Sequence, residues 1–159
     1  MKYGATVFLR VVLGLIGLGV LAFLLVEPQA EGVHAHDTFF QTYFQDPFVA
    51  VMYFAAIPFF TGLYHAFKVL GFAGRNAEFS APAVKSVRMI KRCALAMLGF
   101  VVIAEIMILS NSGSDDRAGG VMMGVFIFFV SVVVATATAV LERTLQNAVE
   151  MKSENDLTV

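Results

Sequence analysis

Residues 121–141 read VMMGVFIFFVSVVVATATAVL, 21 residues without a charge. A bilayer's hydrocarbon core is about 30 Å thick and an α-helix rises 1.5 Å per residue, so about 20 apolar residues cross it. This stretch meets that requirement. Working outward, three more stretches meet or nearly meet it, at about 7–26, 48–72 and 93–110. The whole chain agrees, with 58% hydrophobic and 14% charged residues and a mean hydropathy of +0.79. A soluble domain carries roughly 45–50% and about 25%. The expectation is an all-α protein, an integral membrane four-helix bundle forming one domain over residues 1–159, with a polar tail at 142–159.

Segment 7–26 has the basic start and apolar run of a signal peptide. Glu27, Pro28 and Gln29 stand where a small-x-small cleavage site would be needed, so the segment reads as a retained helix. Charge then orients the spans. The connection 27–47 holds Glu27, Glu31, Asp37 and Asp46 and no Lys or Arg, whereas the next one holds Arg75, Lys85, Arg88, Lys91 and Arg92. With Lys2, Arg10, Lys68, Arg143 and Lys152, ten of the eleven basic residues fall on one side, Arg117 excepted. Lys and Arg accumulate on the cytoplasmic side of spanning helices. The sequence therefore predicts both termini and the basic connection in the cytoplasm, in a bacterial inner membrane.

The basic connection carries helix signals. Ser80 suits an N-cap and Pro82 the first turn, where a missing N–H costs nothing. Lys85, Arg88 and Lys91 or Arg92 then recur on one stripe and Val84, Val87 and Ile90 on another, so the third helix is expected to begin two to three turns before the lipid. The basic stripe suits anionic headgroups or a docking protein. Small residues at Gly120, Gly124, Ser131, Ala135 and Ala139, and at Pro58, Gly62 and Ala66, permit close helix approach. They fit packing inside one bundle and leave room for a homo-oligomer. Pro58 is expected to kink its helix. Past Leu141 the chain turns polar, and Leu145 and Val149 predict an amphipathic continuation of the helix.

Few residues invite chemistry. Glu105 is the one acid inside a span, and a carboxyl there carries a proton or a hydrogen bond, because an unpaired charge in hydrocarbon is costly. Tyr53, at a matching depth, is the expected partner. His65 lies in the second span, with Thr136, Thr138 or a backbone carbonyl as expected partners. Arg10 should snorkel to the interface. His34, His36 and Asp37 form the most ligand-like cluster, suited to zinc or copper, although no second cluster supports a metal site. The aromatic run Phe39, Phe40, Tyr43, Phe44 and Phe48 reads as an interfacial helix. Cys93 is the lone cysteine, which excludes an intrachain disulfide and CxxC redox chemistry. Walker, GxSxG and HExxH motifs are absent, as are paired inward carboxylates. The expectation is a non-enzymatic protein without a cofactor.

Three segments carry a resemblance: AIPFFTGLYHAFK at 56–68, Phe79-Ser80-x-x-Ala83-Val84-Lys85 with Ile90-Lys91, and the tail LQNAVEMKSENDLTV at 145–159. Together they resemble the domain of unknown function 2975 family of bacterial four-helix membrane proteins. His65 departs from that pattern, where a glutamine is expected, and the His34–His36 loop is peculiar to this sequence. The resemblance implies no established activity. It also implies genomic neighbours that are small helix-turn-helix transcriptional regulators, hence a membrane protein that sequesters or controls one without touching nucleic acid itself. Lys85, Arg88, Lys91, Arg92, Asp156, Leu157 and Val159 are the candidate contact residues. The alternative is small-molecule or ion binding or transport within the bundle around Glu105, Tyr53 and Thr61.

Overall fold

Each of the four apolar stretches lies inside a helix of a computed structural model, which describes residues 2–30, 47–74, 77, 79–110 and 117–156. The helices are α1 (Lys2–Ala30), α2 (Pro47–Ala73), α3 (Ala81–Ser110) and α4 (Arg117–Asp156). No strand occurs among the described residues. In hydrocarbon every backbone N–H and C=O must be satisfied within the protein, and a helix does this along its own length. All four helices are long and apolar enough to cross a membrane.

Their ends follow the local signals. Pro47 opens α2 and Pro82 lies in the first turn of α3, positions that tolerate a missing N–H. The amides of Ala83 and Val84 donate to the Ser80 carbonyl at 3.0 and 3.2 Å, which starts α3 where the sequence predicts. The Ser80 hydroxyl, expected as the cap, instead donates to the Ala77 carbonyl at 2.7 Å and fixes the incoming chain. Pro58 is held inside a continuous α2. The two longest helices exceed a membrane. α4 has 40 residues, about 60 Å at 1.5 Å per residue and twice the hydrocarbon thickness.

The helices run antiparallel in chain order, α1 on α2, α2 on α3 and α3 on α4, with α1 the most sparsely attached. Glycines mark the close approaches. A Cβ on Gly17 would come within 2.7 Å of Leu63 Cδ2, and one on Gly62 would lie 3.3 Å from Cys93 Cβ. On α4, Gly120 faces Ile108 and Gly124 faces Glu105, while Ser131 and Ala135 are buried. The small-residue row of α4 is thus the seam with α3, as the packing reading expects. Arg10 lies over Gly71 of α2.

α3 is the central helix. It contributes the buried Ala83, Val84, Ser86, Val87, Cys93, Ala94 and Val101, whereas α2 has no fully buried residue. Large side chains such as Leu15, Phe54, Ile57, Ile106 and Phe126 are exposed, as suits a surface whose solvent is lipid. The tightest packing lies at the start of α3: Val87 is 0% exposed and clusters with Val84 and Leu145, and Val69 and Val149 pack against them.

The Gly62 contact is testable through the lone thiol. Gly62→Val would force α2 away from Cys93, at about 1–3 kcal/mol for overpacking. Labelling of the buried Cys93 by a thiol-reactive fluorophore in detergent should speed up severalfold and its thermal midpoint should fall. Gly17→Ala meets only the flexible end of Leu63 and should change either measure little.

Candidate functional site

The polar groups of the chain fall at two depths. At one end, the apolar run of α4 stops at Leu141 and Glu142 begins its polar extension. Glu142 is buried, its side chain 8% exposed, because it continues the α4 row that faces α3. There Arg88 Nε donates to Glu142 Oε1 at 2.7 Å and Lys91 Nζ donates to Oε2 at 2.5 Å. Each carboxylate oxygen therefore has its own cation from α3, three residues apart on one helix face. The Lys91 and Arg88 hydrogen bonds hold the Glu142 carboxyl below the usual glutamate value, against an opposing push from burial.

This clamp alters the reading of the basic stripe. Two of its four candidate contact residues, Arg88 and Lys91, are engaged inside the fold, and Lys85 and Arg92 remain exposed. Arg143 and Lys152 on α4 are also exposed, and Lys68 Nζ stands 5.7 Å from the centroid of the Tyr64 ring. The continuation of α4 past Leu141 docks on α3 through Leu145 and Val149. Asp156 ends α4, while Leu157 and Val159 lie outside the described residues.

The second polar depth lies within the apolar segments. Glu105 sits five residues before Ser110, the end of α3, roughly 7–8 Å along the axis. Its expected pairing with Tyr53 is not what the structure holds. The Tyr53 hydroxyl donates to the Leu24 carbonyl of α1 at 2.5 Å, because the face of α2 bearing Tyr53 turns to α1, whereas Glu105 turns to α4. A Cβ on Gly124 would overlap Glu105 Oε1, and that oxygen is buried with no hydrogen-bond partner. Beside Glu105 lies a groove of about 190 Å³ between α3 and α4, whose accessible wall is apolar and which includes neither Tyr53 nor Thr61. The Thr61 hydroxyl donates to the Ile57 carbonyl of its own helix at 2.8 Å.

His65 also differs from expectation. The Thr136 and Thr138 hydroxyls donate to the carbonyls of Val132 and Val134 one turn back, and His65 Nδ1 is buried without a partner. His34, His36 and Asp37, with the aromatic run from Phe39 to Phe44, lie outside the described residues. Phe48 opens α2 and is exposed. Sequence reading missed the role of Glu142. The signal was present, since Glu142 prolongs the row of Ser131 and Ala135 by two turns.

Comparison with known proteins agrees with this architecture. The family model described as "Protein of unknown function (DUF2975)" matches residues 33–159. An "Uncharacterized membrane protein YoaS" from Bacillus subtilis (strain 168) is 35% identical over 156 residues, covering 98% of each chain. No solved structure matches.

The clamp yields a stability prediction with a sign. Hydrogen bonds to charged groups contribute about 1.5–3 kcal/mol, and the exposure of Arg88 and Lys91, 40% and 30% of their side chains, discounts this to about 1–2 kcal/mol. Glu142→Gln should lower the thermal midpoint, and a double-mutant cycle with Arg88→Gln should show positive coupling. A carboxyl held low in the folded state stabilises above its unfolded value, near 4.5, and loses that contribution as pH falls through the folded value. Wild-type protein should therefore lose stability below about pH 4.5 more steeply than Glu142→Gln.

Proposed function

The chain belongs to the DUF2975 family, and from that premise we propose that it is a non-enzymatic, multi-pass protein of the bacterial inner membrane whose cytoplasmic face docks a small helix-turn-helix transcriptional regulator. The observation that supports this reading is the clamped pair formed by the start of α3 and the end of α4. It joins a fully buried side chain, Val87, to a doubly bonded Glu142 outside the apolar segments. A pair of this kind holds its shape without lipid around it and presents the exposed Lys85 and Arg92, which with the tail residues 153–159 are the proposed contact. The one-sided distribution of Lys and Arg supports a cytoplasmic placement of that surface. The regulator is the partner class that the family's genomic neighbourhood implies. Nucleic acid would be reached only through it.

A second reading, small-molecule or ion binding at Glu105, is favoured by the buried and unpartnered Oε1.

Two measurements test the leading reading. In a Cys93→Ser background, a cysteine placed at residue 153 should label with a membrane-impermeant maleimide only after the inner membrane is opened. Labelling in sealed cells would reverse the orientation. Affinity capture of the full chain from native membranes should retain a cytoplasmic helix-turn-helix protein. Lys85→Glu with Arg92→Glu, or deletion of 153–159, should reduce that capture at least tenfold. Unchanged capture by both variants would remove the basic face and the tail from the interface.

A further inference from the structure

We infer that Arg10, Lys68 and Lys85, one cation from each of three neighbouring helices, form a headgroup site for an anionic phospholipid at the membrane boundary. The inference goes beyond the docking reading and shares only Lys85 with it, since Arg10 and Lys68 are not among the docking contacts.

Packing brings the three cations to one level. Arg10 Nη2 would stand 3.6 Å from a Cβ on Gly71, so the guanidinium of α1 rests on α2. The antiparallel α2 and α3 touch at Gly62 and Cys93. Counting equally from that contact, forward along α2 and back along α3, sets Leu70 opposite Lys85. Arg10 and Lys85 therefore flank α2 at the height of residues 70 and 71, and Lys68 lies about 3–5 Å further in.

The cations also share one side. Leu63 and Gly71 of α2 turn to α1, and Gly62 turns to α3. At about 100° per residue, Lys68 and His65 fall on the wider arc between those two faces. Lys68 and Lys85 both lie close enough to His65 for their charges to act on it. Arg10, Lys68 and Lys85 are all exposed. Among the described residues Glu142 engages Arg88 and Lys91, whereas these three have no carboxylate partner.

Their position selects the anion. Arg10 lies just inside the apolar run that starts at Val7, and Lys68 just inside the one that ends at Phe72, each about 4–6 Å deep. Side chains of this length reach back to the boundary, where the anion a bilayer supplies is the lipid phosphodiester. A guanidinium takes a phosphate with two parallel N–H bonds, and an ammonium holds it as a point charge. A zwitterionic headgroup would bring its own cation among three others, so a net-negative headgroup is favoured. Tyr64, exposed beside Lys68, gives the glycerol and first acyl carbons an apolar wall.

The chain has no tryptophan, so Tyr64→Trp places a single indole at the site. The full chain is reconstituted in vesicles of phosphatidylcholine and phosphatidylglycerol, with one lipid or the other carrying dibrominated acyl chains that quench the indole. Quenching should report at least a fivefold preference for phosphatidylglycerol. Phe54→Trp, exposed toward the other end of α2, should report none. Arg10→Gln, Lys68→Gln and Lys85→Gln together should abolish the preference, and Lys68→Arg with Lys85→Arg should keep it. Lys68→Gln alone, a change at an exposed side chain, should lower it severalfold, which gives an answer even if the triple variant fails to fold. Inorganic phosphate, against chloride at equal ionic strength, should leave it unchanged. Equal quenching by the two lipids overturns the inference. So does an equal preference at both indole positions, which means diffuse attraction, or a preference that survives the triple substitution. Loss of the preference in inorganic phosphate overturns the lipid and assigns the three cations to a soluble phosphate.

Discussion

Hydrocarbon gives apolar helices no hydrophobic reason to associate, since lipid tails solvate Leu and Phe as well as a neighbouring helix does. The rest of this structure depends on that constraint. Within the apolar segments the helices touch where side chains are small enough for backbones to approach, at Gly17, Gly62, Gly120 and Gly124. The one cluster of fully buried aliphatic side chains among the described residues, Val84, Val87 and Leu145, lies toward the polar extension of α4. Water is available there as the worse solvent, and burial contributes about 25 cal/mol per Å². Glu142 belongs to the same region because both of its oxygens can be bonded there by cations whose stems reach solvent.

α3 consequently has two regimes along one helix. From Ala81 to about Arg92 it behaves as an element of a soluble domain, with an apolar stripe on α4 and a charged stripe split between the clamp and the surface. From Cys93 onward it is a membrane helix, with sparse burial and an exposed apolar skin. The transition explains why the helix most buried overall also carries four of the eleven basic residues. α1 sits at the other extreme, held on α2 by Gly17 and by the Tyr53 bond to Leu24.

Features set by order along the chain were legible before any coordinates. Apolar run length placed the four spans, Ser80 and Pro82 placed the start of α3, and Leu145 with Val149 prolonged α4. Features set by helix rotation were not. Tyr53 and Glu105 share a depth, but depth leaves open which neighbour a side chain faces, and α2 turns Tyr53 toward α1. Arg88 and Lys91 looked like surface cations because their partner Glu142 is more than fifty residues away in sequence. The row of small residues on α4 fixes its rotation on α3, and extending that row to Glu142 would have found the clamp.

Glu142, which is buried, and Glu105, which is half-buried, then differ in what they have left to do. Glu142 accepts a hydrogen bond on each oxygen, so its demand for partners is met within the chain and its contribution is to stability. Glu105 sits where partners are worth more, because water is excluded, and yet its Oε1 has none. A group held in place by a glycine on the facing helix is not there by default, since alanine at 124 would close the space. An unsatisfied carboxyl in lipid is costly unless a proton or a passing cation completes it. Among the described residues the apolar segments thus leave two buried polar atoms without a hydrogen-bond partner, Glu105 Oε1 and His65 Nδ1, while the completed Glu142 pins the end of α4 to the start of α3.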